Sequence, residues 1–348
     1  MGNDILNVVG ILVVGGIVYY AYKNNLFDSI LNNIGTGVNT SSTNNPVVST
    51  PTSSAGTGPD GVSFIYPTSG FTWYIGPNGF DAHLEKGGGS TFSKLVKNTD
   101  GSFTADASKG SARFNLNPPT DYEKGGDAIG VCKMNFADSV KRGYTWKPTD
   151  LKNIEFTGFF KVNSPTTNGG IYMRGPCNHH PSQADCCENA NYDMEVSTGS
   201  NSSVIFTKQA PKTYTPDPAG RRPISPSVKL EGHGWFGLKY VHIILSSDPN
   251  NPRVLLQAFI NLNGDGKSWK KIAETIDHNK YNWGSEGAMC GGTPSQVLAF
   301  GAPRVVFKWY SGDVDFKKMS LRSIKPNISN LATAKLGYIY RANRVNII

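Results

Sequence analysis

Ten short runs rich in β-branched and aromatic residues follow one another between residues 62 and 324, and Gly, Pro, Asn or Asp bounds each of them. Such punctuated runs are typical of β-strands joined by tight turns. In chain order they read "VSFIYPTSG", "IEFTGFFKV", "GGIYMRG", "NYDMEV", "SVIFTKQ", "WFGLKYVHIIL", "RVLLQAFINL", "WKKIAETID", "PRVVFKWYS" and "VDFKKMSLRSI". So many strands in one domain predict an all-β fold in which two sheets form a sandwich or jelly roll.

A polar segment, "NLNGDGKSW", separates the seventh run from the eighth. Its Asn261, Asn263, Asp265 and Gly266 resemble the start of a calcium-binding loop, but the twelfth position, where such a loop needs a Glu ligand, is Ile272. We therefore predict a hairpin turn here and no metal site. The chain also contains no glycine motif of the kind that holds nucleotides, so we expect no cofactor.

The amino terminus contains a long uncharged apolar stretch. Residues 5–22 include no Asp, Glu, Lys or Arg, and a helix of that length spans about 27 Å, enough for the hydrocarbon core of a bilayer. Three tyrosines near its end, followed by Lys23, suit the membrane interface. A cleaved signal peptide is the alternative, but the stretch lacks a basic leading region and a small-residue cleavage site. We predict an uncleaved transmembrane helix within residues 1–34.

The rest of the chain divides by composition. Residues 35–60 are almost entirely Ser, Thr, Asn, Gly and Pro, which predicts a flexible stalk. The β domain then occupies residues 61–325, and residues 326–348 form a tail. Five cysteines and three Asn-X-Ser/Thr sequons favour an exterior location for the part after the anchor. These features predict a single-pass membrane protein with an exterior carboxyl-terminal domain.

The net charge of +8 favours anionic partners. Acidic polysaccharide and lipid headgroups both fit this sign. The Lys and Arg residues are scattered, as is typical of solvated surface, and no run of them is dense enough to indicate nucleic acid.

Several phrases occur in an order that matches a known group of proteins: "IYPTSGFTWYI", "NTDGSF", "SARFNL", "LKNIEFTGFFKV", "GIYMRG", "GWFGLKYVHIIL" and "VDFKKMSLRSI". The chain resembles a family of secreted or membrane-anchored proteins common in ammonia-oxidising archaea. Their domain is similar to the concanavalin A-like lectin/glucanase jelly roll and, more loosely, to alginate-lyase-type polysaccharide lyases. The resemblance covers about residues 62–325. It implies a concanavalin A-like jelly roll that handles glycans, without naming a reaction.

The loop "GPCNHHPSQADCCENA" holds three cysteines and two histidines. Its Cys-x-His-His-x5-Cys-Cys spacing is not that of a zinc site, and an exterior location favours oxidation of the thiols. The resemblance instead implies a disulfide between Cys187 and Cys290, which would fix the loop beside the glycan groove. Cys132 and Cys177 are then candidates for a second disulfide, which would leave Cys186 as an odd thiol.

The resemblance to polysaccharide lyases implies a set of catalytic candidates. Such an enzyme neutralises a uronate carboxylate, removes the C5 proton and protonates the leaving oxygen. Arg174 is the candidate for the first task, and His179 or His180 for the base. Lys308 and Tyr310 lie two apart in "FKWYSG", hence on one face of a strand. The Gln-x-His strand motif of those lyases is absent here.

A hydrolase is the second enzymatic alternative. Retaining glucanases of this fold carry a strand with paired carboxylates that serve as nucleophile and acid. Asp193 and Glu195 share one face of "NYDMEV", whereas Asn191 stands where such enzymes have a further acid.

A binding protein without catalysis needs only a groove with aromatic and hydrogen-bonding groups. Tyr172, Arg174 and Trp309, together with Asp193 and Glu195, are the candidate ligand-binding residues, and Trp235 and Trp283 are further aromatic candidates. We therefore predict an exterior protein that binds polysaccharide, with lyase or hydrolase activity as alternatives. A structural role in a surface layer or a virion, through self-assembly of a jelly roll, is the third alternative.

Overall fold

The computed structural model describes most of the β domain and none of the first 54 residues. The described residues are 55–77, 84–85, 95–106, 111–116, 151–163, 168–174, 191–209, 214–225, 228–248, 250–278, 281, 283–284, 297–299, 301, 304–310, 312–328 and 331. All of them belong to one compact unit, Ser49–Ile348. Within these ranges no helix has the length and apolar character needed to cross a membrane, and the predicted anchor at residues 5–22 lies outside them.

Sixteen strands make up nearly all the regular structure of the described residues. In chain order they are β1 (Thr68–Tyr74), β2 (Leu84–Glu85), β3 (Leu95–Lys97), β4 (Phe103–Asp106), β5 (Ser111–Leu116), β6 (Ile154–Val162), β7 (Asn168–Arg174), β8 (Asn191–Ser197), β9 (Ser203–Gln209), β10 (Tyr214–Pro216), β11 (Arg222–Pro223), β12 (Phe236–Ser246), β13 (Arg253–Asn261), β14 (Lys270–His278), β15 (Arg304–Tyr310) and β16 (Asp313–Ile324).

The strands form two antiparallel eight-stranded sheets. The back sheet has the order β14-β13-β12-β6-β16-β4-β3, with β1 paired to β16, and the front sheet has the order β10-β9-β8-β7-β15-β5-β2, with β11 paired to β9. This confirms the predicted all-β, two-sheet architecture. Neighbours such as β6 and β16 are far apart in the sequence, and the chain passes from one sheet to the other several times, as between β15 and β16.

The core lies between the two sheets because alternate residues of each strand point inward. The ring of Phe160 in the back sheet stacks on Phe307 and Trp309 of the front sheet, with ring centroids 5.0 and 5.8 Å apart. Apolar side chains from both sheets complete a continuous buried cluster around this contact. Burial of these rings is the main force that holds the sheets face to face.

Each of the nine predicted runs from "IEFTGFFKV" onward is a strand, but the first run is wrong in part. β1 begins only at Thr68, and residues 62–67 cross the outer face of the back sheet instead. The backbone N–H groups of Ile65 and Tyr66 donate to the Glu155 carboxylate, at 3.0 and 3.3 Å. A side chain therefore replaces the strand ladder that the pattern predicted.

The predicted turn between β13 and β14 is confirmed. One oxygen of Asp265 accepts hydrogen bonds from the Asn261 amide and from the backbone N–H groups of Lys267 and Ser268. These donors occupy the carboxylate that a cation would need.

A bulge in β16 moves the apolar pattern by one residue. Lys318 adopts a left-handed conformation with φ of 49°, and the register with β6 shifts between Lys317 and Ser320. Phe316 and Met319, although three residues apart, consequently both face the core. The bulge explains why this run does not follow simple alternation.

Three charged side chains are fully buried on the outer face of the back sheet, beneath residues 62–66. Lys239 Nζ lies 2.7 Å and Arg322 Nη2 lies 2.5 Å from Oε1 of Glu155. Burial alone raises the pKa of Glu155, but the attraction of Lys239 and Arg322 outweighs it, so that the pKa lies below its usual value. The Arg322 guanidinium also stacks on the Phe64 ring at 3.4 Å. This cluster fixes the entering chain to the sheet.

Replacing Glu155 by Gln should destabilise the domain strongly. The change leaves the charges of Lys239 and Arg322 buried without their anion, which typically costs about 3–5 kcal/mol. Urea unfolding of the purified chain measures the loss. The control is Glu231→Gln in the partly exposed pair with Lys229, where we expect a change below about 1 kcal/mol. Equal effects at the two positions would contradict this account of the cluster.

His242 makes stability depend on pH. It is fully buried, its Nδ1 bonds the Lys152 carbonyl at 2.9 Å, and burial lowers its pKa from 6.5 to about 4. Between these values the unfolded chain binds a proton that the folded chain does not, so the free energy of unfolding decreases as the pH falls from 6.5 toward 4, by up to about 3 kcal/mol. His242→Gln should flatten this part of the profile measured by denaturant unfolding. An unchanged slope in the variant would refute the assignment.

Candidate functional site

The predicted site residues come together on the outer face of the front sheet, which we call the front face. Inward-pointing Ile171, Met194 and Phe307 belong to the core, so the alternate residues of β7, β8 and β15 lie on the front face. This places Tyr172, Asp193, Glu195, Lys308 and Tyr310 there, as the predicted alternation requires.

Strand register makes these residues neighbours although they are distant in sequence. Gly170 of β7 pairs with Glu195 on one side and with Lys308 on the other. Asn168 pairs with Tyr310, and Tyr172 pairs with Asp193. Three separate segments of the chain therefore contribute to one patch at the centre of the sheet.

Tyr172 fixes the arrangement of the residues in this patch. Its ring folds over Gly170, where an added Cβ atom would lie 2.7 Å from the Tyr172 hydroxyl oxygen, and that hydroxyl bonds the Tyr310 hydroxyl at 3.2 Å. The ring is fully buried, and burial raises the pKa of the hydroxyl well above its usual value. Tyr172 therefore stays a neutral phenol, and its hydroxyl donates the hydrogen bond that orients the Tyr310 hydroxyl. Because the Tyr172 ring is buried, it does not suit the predicted role of an aromatic platform that stacks on a ligand.

The two acids of β8 have different surroundings. Asp193 is fully buried, whereas Glu195 is half-buried. Burial raises the pKa of Glu195, and the nearby charges of Arg221 and Lys308 oppose that shift. Of the predicted carboxylate pair, only Glu195 is therefore partly accessible from the front face.

Lys308 and Tyr310 form a cation–aromatic pair. The Lys308 ammonium lies 4.1 Å from the centroid of the Tyr310 ring, and both residues are half-buried. The contact holds a positive charge over the ring whose hydroxyl is oriented by Tyr172. An ammonium and a phenol in this arrangement can bind a carboxylate and an adjacent hydroxyl group.

Basic residues occupy paired positions along the same strands. Arg174 pairs with Arg304 across β7 and β15, and Lys308 pairs with Arg113 across β15 and β5. Arg304 and Arg113 were not among the predicted site residues. The signal for Arg304 was its place four residues before Lys308, which puts it on the same face of β15.

The tryptophan predictions need correction. Trp309 is 1% exposed and packs in the core against Phe160, so it faces away from the front face. Trp283 is also buried, and Trp235 packs on the outer face of the back sheet. The alternation that places Lys308 and Tyr310 outside necessarily turns Trp309 inside.

Other predictions concern residues outside the described part of the chain. These are His179, His180 and the cysteines at 132, 177, 186, 187 and 290. Their proposed catalytic and disulfide roles stay predictions, as does any role for the Arg174 side chain. Among the described residues there is no group of three or more His, Cys, Asp or Glu that could hold a metal ion.

No known protein family and no curated protein matches the sequence. Among solved structures, the carbohydrate-binding module CBM66 from Bacillus subtilis matches at 8% identity over 66% of this chain and 92% of that chain, with a TM-score of 0.32. A putative glycosyl hydrolase from Parabacteroides distasonis matches at 10% identity over 70% and 89%, with a TM-score of 0.36. The alginate lyase Aly36B matches at 11% identity over 73% and 97%, with a TM-score of 0.37. Likeness of this degree assigns no function to this chain.

Replacing Gly170 by Ala should disturb the patch without unfolding the protein. The new methyl group would meet the Tyr172 ring, which must move and release the Tyr310 hydroxyl. We expect a loss of about 1–3 kcal/mol of stability, measured by thermal unfolding. Gly199→Ala is the matched control because a Cβ there meets nothing within 4 Å. Equal stabilities of the two variants would contradict the packing described for Tyr172.

Proposed function

We propose that the protein binds an acidic polysaccharide through the front face. The observation that carries this proposal is the Lys308 ammonium held over the Tyr310 ring on the front face. The register places further basic residues, Arg174, Arg304 and Arg113, at neighbouring strand positions. These basic residues belong to three adjacent strands, β7, β15 and β5, and a row of basic residues suits the carboxylate or sulfate groups of a sugar chain. The net charge of +8 has the sign that attracts such a polymer over longer distances.

The centre of the patch supplies groups that suit a sugar. Lys308 and Tyr310 present an ammonium and a phenol side by side, and Glu195 lies across Gly170 from Lys308. A carboxylate can accept hydrogen bonds from sugar hydroxyls while the cations bind the acidic substituents. Because the patch contains a carboxylate as well as cations, it suits a ligand with both hydroxyl and acidic groups better than a simple anion.

The proposal is tested by binding of the purified chain to a polyuronate and to a neutral glucan. We expect binding to the polyuronate that weakens as salt is added, because the contacts are partly exposed ion pairs. Lys308→Gln should raise Kd for the polyuronate about tenfold, as expected when one charged contact is lost.

The control is Lys317→Gln. Lys317 also lies over an aromatic ring, that of Trp235 at 3.9 Å, but it belongs to the back sheet. This variant should bind like the wild type. Equal loss in both lysine variants, or equal affinity for the neutral glucan, would contradict binding at the front face.

Cleavage of the same polymer by β-elimination is the second candidate function. The observation that favours it is the hydrogen bond from Tyr172 that orients the Tyr310 hydroxyl, on a ring covered by the Lys308 ammonium, since a positioned phenol can transfer a proton to or from the sugar. In the same assay, rising ultraviolet absorbance from an unsaturated sugar would support a lyase. Tyr310→Phe should then abolish the signal while the polymer still binds.

Two further outcomes distinguish the remaining alternatives. New reducing ends without absorbance would indicate hydrolysis, for which Glu195, with its raised pKa, is the candidate acid. The absence of both binding and turnover would contradict the proposal. Ordered assembly of the purified chain would then favour a structural role in a surface layer or virion.

We also propose that the domain is tethered to a membrane on the exterior side. Support comes from the uncharged residues 5–22 and from the polar stalk at residues 35–60. A stalk of this composition would let the domain reach a polymer some distance from the bilayer.

A further inference from the structure

One lysine and one aspartate from opposite sheets meet inside the sandwich. Lys208 lies on β9 of the front sheet and Asp277 on β14 of the back sheet. Lys208 Nζ lies 2.5 Å from Oδ2 of Asp277, and the two side chains are 6% and 0% exposed. The front-face patch makes no use of this pair, which lies on the other side of the front sheet.

The surroundings of the pair hold it in a fixed orientation and exclude water. The Tyr192 hydroxyl donates to Asp277 Oδ2 at 2.5 Å and itself accepts a hydrogen bond from the Leu298 backbone N–H. Lys208 Nζ donates to the Trp283 carbonyl oxygen at 2.7 Å. The rings of Tyr192 and Trp283 flank the amine, with centroids 5.8 and 5.3 Å from Nζ.

The second oxygen of the carboxyl group has a different environment. Asp277 Oδ1 is buried and has no hydrogen-bond partner among the residues that the structure describes. A carboxylate that stays ionised inside a protein normally has both oxygens satisfied. An amide keeps only one oxygen, and Oδ2, which accepts the hydrogen bond from the Tyr192 hydroxyl, can be that oxygen.

We propose that Lys208 and Asp277 condense to an isopeptide bond that covalently joins the two sheets. In this step Lys208 Nζ forms a bond to Cγ of Asp277, one carbon–oxygen bond of the carboxyl group breaks, and the oxygen leaves with two protons from the ammonium as one water molecule. The remaining oxygen becomes the amide carbonyl. Nothing is oxidised or reduced, so no co-reactant is needed.

Three features of the site favour this reaction. Two reactive groups held together in a protein behave as if at very high concentration, which offsets the cost of condensation. The Tyr192 hydroxyl, by donating to Oδ2, polarises the carboxyl group toward attack. Burial also lowers the pKa of the Lys208 ammonium and raises the pKa of the Asp277 carboxyl, which favours the neutral amine and neutral acid that react.

The chain contains a second buried Lys–carboxylate pair that serves as an internal comparison. Lys239 Nζ lies 2.7 Å from Oε1 of Glu155, but Arg322 and two backbone N–H groups also bind that carboxylate. These donors lower the pKa of Glu155 and keep it ionised. An amine does not attack the carbon of an ionised carboxylate, so we expect Lys239 and Glu155 to stay an ion pair.

Mass spectrometry of the full chain tests the proposal. After unfolding and reduction of disulfides, the wild-type chain should be lighter than its sequence by one water molecule. Proteolysis should release a branched peptide that joins the segment containing residue 208 to the segment containing residue 277. The full sequence mass in correctly folded protein, shown by circular dichroism, would overturn the proposal.

Two lysine variants separate this bond from other losses of water. Lys208→Arg keeps the positive charge but cannot condense, so it should show the full mass and a lower Tm. Lys239→Arg should keep the loss of water. A loss that persists in Lys208→Arg, without a branched peptide, would come from ring closure at an Asp-Gly step such as 265–266 and would overturn the proposal. The peptide map of the wild type decides the matter even if a variant does not fold.

Discussion

Two consecutive glycines in β7 allow large aromatic rings to lie flat against both sides of the front sheet. Trp309 packs where a side chain of Gly169 would stand, in the core, and Tyr172 covers Gly170 on the front face. The inner contact brings β15 and β7 together with Phe160 of the back sheet. The outer contact sets the position of the Tyr310 hydroxyl. The candidate site and the core therefore depend on the same two backbone positions.

Buried charge has two different consequences in this protein. On the back sheet, Glu155 binds Lys239, Arg322 and two backbone N–H groups, so that the ionised form is stabilised and the entering chain is fixed. Between the sheets, Asp277 meets one lysine and one phenol, and desolvation dominates. The same pair of chemical groups thus gives an ion pair in one place and the conditions for condensation in the other. The number of donors around the carboxyl group makes the difference.

Strand identity and the orientation of side chains were predictable because both depend on neighbours in sequence. The runs from "IEFTGFFKV" onward became strands, and alternation placed Lys308 and Tyr310 on one face with Trp309 opposite. The prediction that Trp309 binds a ligand was wrong because the same alternation turns Trp309 into the core. Residues 62–67 were mistaken for strand because their partner, the Glu155 side chain, lies about ninety residues away. The bulge at Lys318 changed the alternation for a local backbone reason that no residue pattern signalled.

The sequence by itself determined that the chain builds a β sandwich, since the spacing of apolar residues decides which face of each strand can be buried. It also determined which residues share a face within a strand, through the two-residue period of the backbone. Only the tertiary structure decided which strands are neighbours, and hence that Arg174 opposes Arg304, that Glu195 and Lys308 flank Gly170, and that Lys208 meets Asp277. Strand order depends on the packing of the whole core, which joins segments far apart in the chain, so no local pattern encodes it.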